Sequence, residues 1–117
     1  MDRYEDLCDD CGQSFRHYYW VQGDTFKNRL AVKNSDGSLV GNDVIQSIEF
    51  RLLDADKNVE YSQNYEYNAG EQKWDIVIPS QETMKWAVDT HYYRYVLTYV
   101  DGSVITARKN GLFTVEK

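Results

Sequence analysis

Tyr92-Tyr93-Arg94-Tyr95-Val96-Leu97-Thr98-Tyr99-Val100-Asp101-Gly102 decides how this chain is read. Tyr93, Tyr95, Leu97 and Tyr99 alternate with Arg94, Val96 and Thr98. A period of two sends one set of side chains into a core and the other towards water, and rings with β-branched residues suit a pleated, half-buried surface. Asp101-Gly102 then turns the chain, and Gly111-Leu112-Phe113-Thr114-Val115 closes it. The segment reads as the last strands of a β-sandwich.

The same pattern extends towards the N-terminus. Trp74, Ile76 and Ile78 alternate with Lys73, Asp75 and Val77 until Pro79 stops the run. Val59, Tyr61, Gln63, Tyr65 and Tyr67 face one way and Glu60, Ser62, Asn64 and Glu66 the other, giving one strand with a partly polar inner side. Ile48, Phe50 and Leu52 alternate with Ser47, Glu49 and Arg51, and Phe26, Leu30 and Val32 with Lys27, Arg29 and Lys33. Phe15 to Val21 is aromatic and β-prone. Turn residues fall between these runs at Gln22-Gly23-Asp24, Asn34 to Gly37, Gly41 to Asp43, Asp54 to Asn58 and Asn68 to Glu71. About seven or eight strands at this spacing predict an all-β sandwich of immunoglobulin-like type.

One segment differs. Ser80 to Val88 carries a candidate N-cap at Ser80, Glu82 in the first turn, and Met84 with Ala87 or Val88 at helical spacing. A short helical turn within 81–88, bridging the two sheets, is expected.

Length and composition are those of one domain: 117 residues, 42% hydrophobic, a single Pro, and a high aromatic share of 15%. The net charge of −6 is uneven, since Asp2, Glu5, Asp6, Asp9 and Asp10 stand against Arg3 in residues 1–14. These residues are expected to form an acidic arm with a helical turn over Tyr4 to Leu7, ahead of a sandwich spanning 15–117. A field of this sign repels phosphate backbones, and no basic stripe offsets it, so nucleic acid is not an expected partner. No apolar run approaches the ~20 residues of a membrane span, and no charged start leads into an apolar stretch, so no membrane association is expected and synthesis in the cytosol is.

Cys8 and Cys11 sit in the arm as Cys-Asp-Asp-Cys. Three readings stand: two plain thiols or a local disulfide, half of a zinc site, or a redox pair. Zinc needs further soft or imidazole ligands, with His17 as the third and His91 as a fourth through tertiary approach. Redox chemistry is disfavoured because Asp9 and Asp10 oppose thiolate. No cofactor is expected, with zinc at Cys8, Cys11 and His17 as the alternative. Asp54-Ala55-Asp56-Lys57-Asn58 opens like a calcium loop, but Val59 and Tyr65 occupy positions where Gly and Glu belong, so an ordinary turn is expected. No nucleophile with a base and no phosphate loop can be assembled, and Glu49, Glu66 and Asp75 pattern as solvent-facing, so an enzyme is not expected. Tyr18, Tyr19 and Trp20, where arm meets body, read either as a core strand or as anchors of a partner interface.

Gln22-Gly23-Asp24-Thr25-Phe26, Asp36-Gly37, the run to Leu52, Trp74-x-Ile76-x-Ile78-Pro79, Tyr93-x-Tyr95-x-Leu97 with Asp101-Gly102, and Gly111-x-Phe113-x-Val115 follow one another in an order that resembles the immunoglobulin-like N-terminal domain of phage baseplate upper proteins and related tail and virion modules. The similarity covers about residues 18–116. The resemblance implies a structural or adaptor protein of a tail, baseplate or head, located in the virion, present in many copies or as a homo-oligomer, and bound to neighbouring phage structural proteins. The acidic Cys-bearing arm departs from that pattern and is the candidate contact with a neighbour. The competing reading is a carbohydrate-binding module with ten Tyr and three Trp supplying exposed rings. Where the rings point separates the two.

Overall fold

The computed structural model describes residues 2–8, 17–34 and 36–117, with side chains described outside 2–8 and 108–110. Its elements are β1 (Asp2–Cys8), β2 (Tyr18–Val21), β3 (Phe26–Lys33), β4 (Ile45–Leu53), β5 (Val59–Asn64), β6 (Glu66–Asn68), β7 (Lys73–Ile78), α1 (Ser80–Thr83), β8 (Thr90–Tyr99) and β9 (Val104–Glu116). They form a four-stranded sheet in the order β1-β3-β7-β6 and a five-stranded sheet in the order β2-β9-β8-β4-β5. The pairs β1–β3 and β2–β9 are parallel and the rest antiparallel. The expected immunoglobulin-like sandwich is therefore present, with nine strands among the described residues.

Alternation produces the core directly. Phe26, Leu30 and Val32 of β3, Trp74, Ile76 and Ile78 of β7, Ile48, Phe50 and Leu52 of β4, Tyr93, Tyr95 and Leu97 of β8, and Phe113 and Val115 of β9 all point between the sheets and are buried. Phe26 is the keystone. From the four-stranded sheet its ring meets Tyr18 at 5.7 Å, Trp20 at 4.8 Å, Phe50 at 5.9 Å and Phe113 at 5.4 Å, all from the other sheet. Most of these contacts are edge-to-face, the arrangement that aligns a ring's positive edge with its neighbour's negative face.

Gly111 is dictated by the same packing. It stands opposite Tyr93 across the β8–β9 ladder, and a Cβ there would fall 2.5 Å from the Tyr93 ring. At Gly37 and Gly102 the requirement is conformational, with φ of +91° in both turns. In each, the preceding Asp accepts hydrogen bonds from the backbone N–H and the hydroxyl of the following Ser, at 2.9 and 2.6 Å for Asp36 with Ser38 and 2.8 and 2.7 Å for Asp101 with Ser103. The bonds from Ser38 and from Ser103 hold the Asp36 and Asp101 carboxyls below the usual carboxylate range.

The structure corrects three expectations. Val59 to Tyr67 is not one strand: β5 pairs with β4 in one sheet and β6 with β7 in the other. Tyr65 lies at the crossing, its N–H bonded to Ile48 O at 2.8 Å and its ring buried beside Tyr95 at 5.9 Å. Burying that ring between the layers requires the chain to leave the first sheet there.

The helix is a single turn. Ser80 is its first residue and Pro79 its N-cap, without a side-chain cap bond. The segment does bridge the sheets, since β7 and β8 lie in different ones. It stops early because Trp86 must point inward, where it packs on Phe113 at 5.5 Å and Tyr61 at 5.7 Å.

Tyr4 to Leu7 is extended rather than helical, lying within β1 on the edge of β3. An open sheet edge offers these residues a full backbone ladder, whereas one isolated helical turn leaves most of its polar groups unpaired.

Trp74 is 2% exposed and stacks obliquely on Tyr67 at 4.8 Å, while its indole Nε1 is buried with no hydrogen-bond partner. Equilibrium unfolding in urea is expected to show a loss of about 3–5 kcal/mol for Trp74→Ala, from lost burial and the cavity left behind. Trp74→Phe is expected to cost far less, because it also removes the unpaired donor.

Candidate interaction surface on strand β2

Strand β2 is only four residues long, but its parallel ladder with β9 (Tyr18↔Phe113 to Val21↔Glu116) fixes which side chains face out. Tyr18 and Trp20 turn inward, and Tyr19 and Val21 outward. The three aromatic candidates are thus divided between two roles: Tyr18 and Trp20 belong to the core, and Tyr19, at 55% exposed, belongs to the surface.

The inward half holds a polar cluster. Asn28 of β3 is 3% exposed and its Nδ2 donates to Tyr65 Oη at 3.0 Å and Tyr18 Oη at 3.1 Å, with Tyr95 Oη at 3.4 Å. Tyr18 and Tyr95 hydroxyls are themselves 3.4 Å apart. The rings come from β2, β8 and the crossing residue Tyr65, so one amide ties both sheets and the sheet-crossing segment together. Asn28 Oδ1 remains without a partner. Buried polar groups that are paired specify one arrangement of the layers, because sliding would strand them. The signal for Asn28 was present in the sequence, since its position between Phe26 and Leu30 has inward parity, but its polarity concealed it. Trp20 Nε1 donates to Asp24 O at 3.1 Å, closing the turn that carries the chain to β3. Thr83, fully buried, holds the same turn from α1, its Oγ1 lying 2.9 Å from Asp24 O.

The outward half is a small ordered surface. The His17 ring stacks on Tyr19 with centroids 4.2 Å apart and planes 17° from parallel, and Nδ1 lies 3.3 Å from Tyr19 Oη. His17 Nε2 is 2.7 Å from Thr114 Oγ1, and Thr114 Oγ1 is 2.9 Å from Thr90 Oγ1. The stacked pair is held by strands β8 and β9 beneath it. Side chains fixed in this way lose little freedom on association, which suits a contact surface.

The candidate zinc ligands are only partly among the described residues. His17 is engaged at both ring nitrogens, Cys8 ends β1, and Cys11 lies outside the described residues. His91 is 4% exposed, with Nε2 donating to Ala87 O at 2.8 Å and Nδ1 2.5 Å from Glu60 Oε1. It works as a clasp between β5 and the approach to β8. Among the described residues no group of three or more His, Cys, Asp or Glu is placed to hold a metal. In the loop from Asp54, the Asp54 carboxylate accepts from Asp56 N and Asn58 N, both at 2.9 Å, so its oxygen serves the turn itself.

Two acidic residues of the outer faces, Asp75 and Glu49, are paired with arginines. Asp75 binds Arg29 through bonds of 2.6 and 3.2 Å and accepts from Asn68 at 3.3 Å. Burial pushes the Asp75 carboxyl up, and the bonds from Arg29 and Asn68 outweigh it, leaving it below its ordinary range. Glu66 does stand opposite Asp75 in the ladder, and Glu49 pairs with Arg51 at 2.8 Å. A shallow cleft of about 200 Å³ runs over β3 and β7, lined by Lys27, Asn28, Arg29, Asp75, Ile76 and Val77. Among the described aromatic side chains, Tyr19 is the one that is exposed. A sugar platform needs two or three flat exposed rings side by side; of the other described tyrosines and tryptophans, Tyr61, Tyr67, Tyr92 and Tyr99 are half-buried and the rest lie in the core.

Known structures share this architecture. The N-terminal domain of phage TP901-1 ORF48 superposes with a TM-score of 0.55 at 12% identity, covering 99% of this chain and 98% of that one. CopC from Methylosinus trichosporium OB3b superposes with a TM-score of 0.50 at 13% identity, covering 86% of this chain and 83% of that one. At such identities the likeness establishes the fold. No protein-family model matches the chain, and comparison with curated proteins finds no match.

The division of β2 has a direct test in stability. Tyr18→Phe is expected to cost about 1–2 kcal/mol, because the Asn28 amide loses a buried acceptor. Tyr19→Ala, on the surface, is expected to stay within about 0.5 kcal/mol of the parent, as read by urea midpoints at constant slope.

Proposed function

We propose that this protein is a structural adaptor of a phage particle, of the baseplate upper protein type, that binds neighbouring virion proteins. The observation that carries the proposal is the end-to-end likeness to the N-terminal domain of phage TP901-1 ORF48, which covers 99% of this chain and includes no large unmatched segment on either side. The interior supports the same reading. It is filled by interlocked rings, and its one described buried imidazole, His91, is committed to structural bonds, while on the outer faces Asp75 pairs with Arg29 and Glu49 with Arg51. Such a body supplies shape and rigidity rather than chemistry, and the proposal assigns it no catalytic step and no metal.

The proposed contact surface is the stacked His17–Tyr19 pair with Val21, at the edge of the five-stranded sheet. An exposed ring, rigidly supported and bordered by hydroxyls, has the character of an interface anchor. Localisation follows from the proposal: the chain is assembled into the virion, in many copies.

Purified particles should therefore contain this chain, detected by mass spectrometry after a density gradient, beside a fixed structural neighbour. Tyr19→Ala is expected to weaken its retention on particles by about 2 kcal/mol, roughly thirtyfold in affinity, with folding unchanged. Absence of the chain from gradient-purified particles, together with binding to a glycan panel, would instead support the carbohydrate reading.

A further inference from the structure

Strand β1, like β2 in the other sheet, is an edge strand held by a single parallel neighbour. It lies at the edge of the four-stranded sheet and pairs with β3 alone, in parallel, from Asp2↔Lys27 to Cys8↔Lys33. The next element, β2, belongs to the other sheet. The seat for β1 is thus built by β3, and nothing in the pairing requires the strand and its seat to come from one chain.

Charge sharpens this. β1 carries Asp2, Glu5 and Asp6 against Arg3, while β3 carries Lys27, Arg29 and Lys33 and no acid. In a chain of net charge −6, the most acidic strand is laid in register along a basic one. Asp2 stands opposite Lys27, while Glu5 and Asp6 stand opposite Leu30 and Ala31, so the charges favour the pairing strand against strand rather than residue by residue.

From this geometry we infer that β1 is exchanged between copies, the acidic strand of one molecule completing the four-stranded sheet of the next by pairing with its β3. Exchange of an identical element keeps every backbone hydrogen bond and every cross-strand neighbour, so it costs little beyond the entropy of association. Within one molecule the strand competes at an effective concentration of about 1 mM, and exchange takes over where copies are held closer than that. The inference deepens the many-copy virion reading and relies on it only for this crowding. The partner is a second copy of the chain, and a series of such exchanges links neighbouring copies head to tail.

Cross-linking reads the exchange directly. Cα atoms of neighbouring strands lie about 5 Å apart, within disulfide range, so Lys33→Cys with Cys11→Ser places Cys8 opposite a partner thiol. Copies labelled with ¹⁵N and unlabelled copies are mixed as full-length protein, oxidised, digested without reduction and analysed by mass spectrometry. Peptide pairs joining one light and one heavy chain are expected, more than about tenfold more frequent at roughly 1 mM protein than at roughly 10 μM. High salt is expected to reduce them, because screening weakens the attraction between the strands. If Lys33→Cys fails to fold, Asp2→Cys with Lys27→Cys in a Cys8→Ser, Cys11→Ser background reads the same register at its other end. Linkage within single chains only, at every concentration, overturns the inference. Presence of the chain in particles is read independently by co-purification, so either idea can fail without the other.

Discussion

Two sheets of alternating sequence have no intrinsic reason to stay face to face in one relative position, and the contact that holds them here is Phe26. Its ring is the one point at which the four-stranded sheet reaches Tyr18, Trp20, Phe50 and Phe113 of the other layer together. Area burial alone would tolerate small slides of one layer over the other. Edge-to-face geometry among several rings does not, because each contact depends on direction as well as distance. The Asn28 amide, two residues along β3, adds a polar lock to the same interface through Tyr18, Tyr65 and Tyr95.

This central lock explains the unusual features around it. Gly111 exists to let β9 pass flat against Tyr93, the chain leaves one sheet at Tyr65 so that its ring can enter the core, and α1 stops after one turn so that Trp86 can do the same. Most of the described rings are spent on the interior, Asp75 and Glu49 pair with arginines on the outer faces, and the His17–Tyr19 stack at the β2 edge is the surface that the adaptor proposal assigns to a partner. The proposed adaptor role uses that aromatic edge, and the proposed exchange uses the acidic edge strand β1.

The sandwich was legible in the sequence because its strands are half-buried, and half-burial writes a period of two. Trp74-x-Ile76-x-Ile78 and Tyr93-x-Tyr95-x-Leu97 declared their faces without help from tertiary structure. Val59 to Tyr67 misled for the same reason in reverse: alternation continues through Tyr65, while the sheet to which the chain belongs changes there, and period says nothing about which neighbour a strand chooses. Asn28 and Thr83 were hidden because burial of a polar side chain depends on partners far along the chain. For the candidate site, Tyr18, Tyr19 and Trp20 were found as a cluster, yet their division between core and surface required the ladder with β9. Tyr4 to Leu7 gave no clear period, since an edge strand is specified by the edge that receives it.

The central claim is that the Phe26 ring unites the two layers, and equilibrium unfolding of Phe26→Ala beside Val77→Ala tests it. Val77 lies on the neighbouring strand, faces outward and is 51% exposed. The account requires a loss of about 3–5 kcal/mol for Phe26→Ala and within about 0.5 kcal/mol for Val77→Ala. A loss below about 1 kcal/mol for Phe26→Ala, or equal losses for the two, would contradict it.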